Sequence, residues 1–166
     1  MSIVSFLKEA GEKLFGGKEA QAAPSTGAPA AAQPDVGALN AKASEAIEAY
    51  VRSQGLDAKN LAVSYDGASQ TVTVEGEAAD QATKEKIILC CGNVQAVAKV
   101  NDKMTVTQAA EESKWHTVEK GDTLSKISKQ VYGDANRYQK IFEANQPMLK
   151  HPDKIYPGQV LRIPPA

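Results

Sequence analysis

The stretch His116-Thr117-Val118-Glu119-Lys120-Gly121-Asp122-Thr123-Leu124 and its counterpart Ile155-Tyr156-Pro157-Gly158-Gln159-Val160-Leu161-Arg162-Ile163-Pro164 decide how the C-terminal part of the chain is read. The first is a short strand, a polar turn and the start of a helix. The second is a Pro-Gly turn followed by an alternating strand. Between them, residues 125–133 and 140–145 have helical patterning. Strand, helix, helix, strand makes a small β-α-α-β module, placed at 115–164. It also holds most of the aromatic residues: Trp115, Tyr132, Tyr138, Phe142 and Tyr156.

Upstream, a short polar linker is expected at 108–114. Before it, the pattern changes period several times. In 38–53 the residues Leu39, Ala43, Ala46, Ile47, Tyr50 and Val51 share one helical face, and Gly55 ends it. Leu61-Ala62-Val63-Ser64-Tyr65 and Gln70-Thr71-Val72-Thr73-Val74-Glu75-Gly76 alternate on either side of an Asp66-Gly67 turn, as a hairpin does. Asp80 is a candidate N-cap for a helix that runs to Cys91, with Lys84 and Lys86 outward and Ile87 and Ile88 inward. Gly92-Asn93 breaks it, with Gly92 read as a C-cap position of positive φ. Residues 97–106 then alternate as a third strand through Val100, Met104 and Val106. The order α-β-β-α-β over 38–107 predicts an α+β fold with both helices on one face of the sheet.

The start of the chain reads differently again. Ile3, Phe6, Leu7, Ala10 and Leu14 fall on one face at helical spacing, and Gly16-Gly17 stops the pattern. An amphipathic helix over 1–17 is therefore expected, docked on the α-β-β-α-β domain. Residues 18–37 are rich in Ala, Pro, Gln, Ser and Thr and bury too little apolar surface to order themselves, so a flexible linker is predicted. Lys8-Glu9 interrupts the apolar start and no basic stretch precedes it, so a secretory signal is not expected and the cytoplasm is.

Composition excludes several classes of function. The chain has 166 residues and a net charge of -1, without the basic footprint that nucleic acid or anionic lipid would require. No apolar run reaches transmembrane length. Cys90 and Cys91 are adjacent, which suits neither the usual disulfide geometry nor metal-type spacing, and they read as two small apolar residues of a helix. His116 and His151 are the only histidines; the first sits in a surface strand and the second in a loop. No nucleophile–base pair, phosphate loop or dinucleotide fingerprint occurs, so no enzyme is expected.

The C-terminal module closely resembles a LysM domain, a family best known for binding N-acetylglucosamine-containing glycans. The Val-Thr-Val-Glu-Gly strand end and the segment Gly92-Asn93-Val94-Gln95-Ala96-Val97-Ala98-Lys99-Val100-Asn101-Asp102 resemble a BON domain. The two in this order, behind a short amphipathic start, resemble the bacterial cytoplasmic potassium binding protein family. Phe6-Leu7-Lys8-Glu9-Ala10-Gly11-Glu12-Lys13-Leu14 is similar to that family's beginning. Ser125-Lys126-Ile127-Ser128-Lys129-Gln130-Val131-Tyr132-Gly133 and Lys140-Ile141-Phe142-Glu143-Ala144-Asn145 are similar to its LysM helices. The 18–37 linker is longer and richer in Ala and Pro than the family would suggest.

The resemblance implies selective binding of K⁺ with a change of conformation or stability, as sensor or buffer, and a part in stress response. K⁺ is large and weakly hydrated, and proteins select it with neutral backbone carbonyls that replace its water shell. Such carbonyls become free at helix C-terminal ends and Gly-rich turns. By resemblance the ligands are the main-chain carbonyls of Leu7, Ala10, Glu12, Gly92, Val94 and Val97. The alternative implied by the LysM module is a peptidoglycan- or envelope-associated glycan binder, whose groove would be lined by Gly121, Asp122, Thr123, Leu124 and the 147–154 loop. A third reading is an adaptor for an unidentified protein partner.

Overall fold

The computed structural model describes residues 35–166, so the readings for 1–34, including the amphipathic helix and most of the linker, lie outside the described residues. Helix α1 (Val36–Ser53) starts where the Asp35 carboxylate accepts the Gly37 N–H at 2.9 Å. It ends at Gln54, and Gly55 then takes the left-handed turn with φ +71°. Strands β1 (Lys59–Asp66) and β2 (Thr71–Asp80) form the expected hairpin, with Tyr65 opposite Val72 and Val63 opposite Val74. Helix α2 (Gln81–Gly92) crosses over to β3 (Lys99–Gln108), which lies parallel to β2. The sheet order is β1-β2-β3.

The strand periodicity sends Leu61, Val63 and Tyr65 of β1, Val72, Val74 and Ala78 of β2 and Met104 of β3 to one face. There they meet Ile47 and Val51 of α1 and Ile87, Cys90 and Cys91 of α2 in one core. Each fully buried Ile or Val is worth roughly 1.5–3 kcal/mol. The two thiols are among the best-buried groups, and burial pushes both pKa values up to about 12. They are packing residues. Position 76 has the core parity of β2 but no room for a side chain. A Cβ on Gly76 (φ +137°) would meet the Lys59 carbonyl at 3.0 Å, where the β1 register slips.

The third strand begins later than its hydrophobic pattern suggests, at Lys99 rather than at 97. Residues 93–98 are consumed by turns: the Val94 N–H donates to the Cys91 carbonyl, and the Val97 N–H to the Val94 carbonyl. Ala96 sits in the left-handed region (φ +75°), a conformation costly for a residue with a Cβ. The Tyr65 hydroxyl holds it there by donating to the Ala96 carbonyl at 3.0 Å.

The second unit is the β-α-α-β module. Strands β4 (Lys114–Thr117) and β5 (Val160–Ile163) pair antiparallel, with Trp115 opposite Arg162. Helix α3 (Leu124–Tyr132) is capped by the Thr123 hydroxyl and closed by Gly133 at φ +74°. A single 3-10 turn (Ala135–Arg137) leads into α4 (Tyr138–Ala144). Val118, Leu124, Ile127, Ile141, Leu149, Leu161 and Ile163 form a second core, and Met148 packs against both cores. The whole is α+β, as expected. No helix among the described residues is long and apolar enough to cross a membrane.

Candidate functional site

The C-terminal end of α2 is where the expected carbonyl residues meet the rest of the molecule. Gly92 is the last residue of the helix, Val94 enters the first core, and Val97 packs partly against it. Gly92 and Val97 share a cleft of about 240 Å³ with Ile88, Leu89, Trp115 and Val160, so the cleft is walled by both units. Leu7, Ala10 and Glu12 lie outside the described residues.

Carbonyl directions follow from the partners of the neighbouring N–H groups, because C=O and N–H of a trans peptide point opposite ways. The Asn93 N–H points back to the Leu89 carbonyl at 3.1 Å, so the Gly92 carbonyl points forward, out of the helix end. The Ala98 N–H points to the Gln70 carbonyl at 2.8 Å, so the Val97 carbonyl points away from that residue. Among the described residues no hydrogen bond ends on either carbonyl. The Val94 carbonyl accepts one bond, from the Val97 N–H at 3.1 Å, and retains its second lone pair.

Two charges of opposite sign meet at this cleft, the end of α2 and the side chain of Lys99, which also lines it. A helix C-terminus carries partial negative charge, and the last turn of α2 holds no basic residue to offset it. Among the described residues no three His, Cys, Asp or Glu side chains come together as a metal cluster. The oxygens that the loop leaves without hydrogen-bond donors are main-chain carbonyls.

One expectation about this loop is corrected. Gly92 does not have positive φ; it ends the helix with ordinary backbone, and Asn93 is the cap residue, at φ -94°. A Cβ on Gly92 would come within 3.4 Å of the Val100 side chain. A methyl at position 92 would thus sit at ordinary contact distance from the wall of the cleft, and the left-handed residue of the loop is Ala96.

Side chains that the sequence did not single out hold this region. The Asn93 side-chain N–H groups donate to the Leu89 and Val160 carbonyls, each at 2.9 Å, and its Oδ1 accepts the Val160 N–H at 2.9 Å. Glu85, on the same helix, is buried and bonds the Gln81 side chain, the Ser113 N–H and the Arg162 guanidinium of β5. Burial pushes the Glu85 carboxyl up, but these hydrogen bonds outweigh it and hold the pKa below the ordinary value. Position 113, expected in a short polar linker, is therefore tied to the first unit. Hints existed for each: an Asn at a helix break, and an Arg amid the apolar run of β5. Their partners lie 67 and 77 residues away in sequence, which periodicity cannot reveal.

The alternative groove is built mainly from groups with internal duties. The Asp122 carboxylate accepts the Glu119 N–H at 3.0 Å and lies 3.0 Å from His116 Nε2. The Glu119 N–H first, and the His116 contact second, hold the Asp122 pKa below the usual range. Thr123 caps α3, the Gly121 carbonyl accepts the Lys126 ammonium at 2.8 Å, and Leu124 is buried. His151 is exposed and bonds the Asp153 N–H within its own loop.

Comparisons with known proteins agree with this anatomy. The BON domain family model matches residues 37–108 and the LysM domain family model matches residues 116–164. The potassium binding protein Kbp of Escherichia coli O6:H1 is 42% identical, over 99% of this chain and 99% of its own. An uncharacterized protein of Deinococcus radiodurans is 51% identical over 30% of this chain and 19% of its own length. The uncharacterized protein YqbP of Bacillus subtilis is 38% identical over 31% of this chain and 27% of its own.

Proposed function

The chain belongs to the family of the potassium binding protein Kbp, and from that premise we propose that it binds K⁺ in the cytoplasm as a sensor or buffer, changing conformation or stability as it does so. The observation that carries the reading is the relationship itself, which spans 99% of both chains and both domains. The loop at the end of α2 supports it. Carbonyls at Gly92 and Val97 that accept no hydrogen bond from the described residues, a spare lone pair at Val94 and the partial negative charge of the helix end supply neutral oxygen for a cation, beside the Lys99 side chain that lines the same cleft. The main-chain carbonyls of Leu7, Ala10 and Glu12 complete the proposed site. K⁺ is held without carboxylate ligands, and Na⁺ is rejected because the number and field of the carbonyls replace the hydration shell of the larger ion. The glycan reading has less support, since the Gly121–Leu124 turn spends its side chains on its own fold.

Calorimetric titration of the full chain with KCl, against NaCl at the same ionic strength, tests this. Saturable heat with KCl and none with NaCl is expected. Removing residues 1–14 is expected to abolish the KCl heat while leaving both described units folded. Equal heats for the two salts, or unchanged K⁺ binding in the truncated chain, would remove the ion reading or its N-terminal ligands respectively.

A further inference from the structure

We propose that Asn93 is a positioning residue for the carbonyl loop, and that strand β5 of the second unit braces it; this rests on the K⁺ reading above. Asn93 lies between Gly92 and Val94 and beside the cleft that Gly92 and Val97 line. Its side-chain amide has two N–H donors and one oxygen, and all three are engaged. One N–H closes the end of α2 at the Leu89 carbonyl. The other N–H and the oxygen bond the carbonyl and N–H of Val160, as a neighbouring strand would.

The consequence for the loop is geometric. The Gly92 carbonyl belongs to the peptide plane that contains the Asn93 N–H, so its direction turns with Asn93. An Asn held only by the helix end would tether that plane to α2 alone, through its main-chain and side-chain N–H bonds to the Leu89 carbonyl at 3.1 and 2.9 Å. The Val160 pair adds two bonds from a strand that is anchored independently in the second core through Leu161 and Ile163. Carbonyls that select an ion by their arrangement gain from such a fixed base. The second unit thus contributes to K⁺ affinity without supplying a ligand.

The test is the K⁺ dissociation constant of the full chain at 25 °C, by KCl titration, for the parent, Asn93→Ala, Asn93→Ser and Asp80→Ala. Asn93→Ser keeps a hydroxyl for the Leu89 carbonyl but is too short to reach Val160, so it retains the helix end and loses the brace. Asp80→Ala removes the cap at the opposite end of α2, where the Asp80 carboxylate accepts the Thr83 N–H at 2.7 Å. It weakens the same helix without touching the loop. Both Asn93 variants are expected to bind K⁺ about tenfold more weakly, within the usual range of coupling between sites, and Asp80→Ala to bind within about twofold of the parent. Asn93 variants that bind like the parent would overturn the brace while leaving K⁺ binding intact. Equal weakening in Asp80→Ala would also overturn it, since helix stability alone would then explain the loss. A parent chain that gives no KCl heat would overturn the K⁺ reading and the brace together.

Discussion

Two helix ends in this molecule are built the same way and leave different things free. At Asn145, after α4, the side-chain amide donates to the Ile141 and Arg162 carbonyls at 2.7 and 2.8 Å, and its oxygen accepts the Arg162 N–H at 2.7 Å. At Asn93, after α2, the same amide makes the same three bonds, to Leu89 and Val160. Val160 and Arg162 are two apart on β5, so both present their main chain to the edge away from β4. One strand edge is therefore covered in series by two asparagines, one from each unit. A free edge is thereby closed without a third strand.

The difference lies in what surrounds each amide. Asn145 is wholly buried, and its own carbonyl accepts the Leu149 N–H at 2.8 Å, so the chain after α4 is used up by packing. Asn93 is half-buried, and the carbonyls of Gly92 and Val97 around it accept nothing from the described residues. The same cap, placed at the joint between units, holds a loop firmly while leaving its oxygens unspent. Firm main chain with unspent oxygen is what a carbonyl-ligated cation needs.

The largest effect is expected where the two units are joined by charge. Arg162→Met leaves the buried Glu85 carboxylate without its cation, and breaking such a pair costs about 3–5 kcal/mol. Chemical denaturation should show this as a lower midpoint, and a midpoint within error of the parent would mean that the joint contributes little. A comparable loss is expected for Asn145→Ala. It strands the Arg162 N–H and carbonyl in a buried site, which costs about 2–6 kcal/mol at ~1–3 kcal/mol per group. The loss should appear in thermal unfolding, with K⁺ affinity measured well below the transition unchanged. A fall in K⁺ affinity matching that of Asn93→Ala would erase the distinction between the two helix ends.

A pH series sharpens the contrast further. The folded pKa of Glu85 is depressed, so its contribution is present above the ordinary carboxylate pKa and is lost as pH falls through the lowered value. Acid should therefore loosen the joint, and Glu85→Gln should flatten that part of the melting temperature against pH. Parallel curves for the two proteins would assign the acid loss to other carboxylates, Asp122 among them. The smallest effect is expected for Gly92→Ala. With ordinary helical backbone at 92, the added methyl should change stability by no more than about 1 kcal/mol, read as a small shift in unfolding midpoint. A large loss there would restore a special backbone requirement at the end of α2.

Much of this was legible in the sequence because it is local. The alternation in β1 and β2, the Asp80 cap, the Gly-Asp-Thr turn into α3 and the apolar nature of the two cysteines all follow from near neighbours. The sequence places the start of β3 too early because Val97 and Ala98 lengthen the apolar stretch before Val100, while the turn that keeps them out of the strand is held by the Tyr65 hydroxyl 31 residues away. The role of Gly92 was misread for a similar reason, since a glycine at a helix break usually marks a left-handed cap and here the left-handed residue is Ala96. The joint was invisible: Glu85 stands between Lys84 and Lys86 in sequence and gives no sign there of a buried partner on β5. Main-chain ligands are invisible by nature, because a carbonyl is present at every position. Only the resemblance points to Gly92, Val94 and Val97, and the structure adds which of their oxygens already accept a hydrogen bond among the described residues.

The most direct test of K⁺ binding is a pair of melting curves for the full chain, in KCl and in NaCl at equal ionic strength. A ligand at a hundred times its dissociation constant stabilises the folded state by about 2.7 kcal/mol, which for a domain of this size raises the melting temperature by roughly 10 °C. The prediction is a rise of that order in KCl over NaCl, shrinking when Asn93 is replaced. Coincident curves in the two salts would contradict the account.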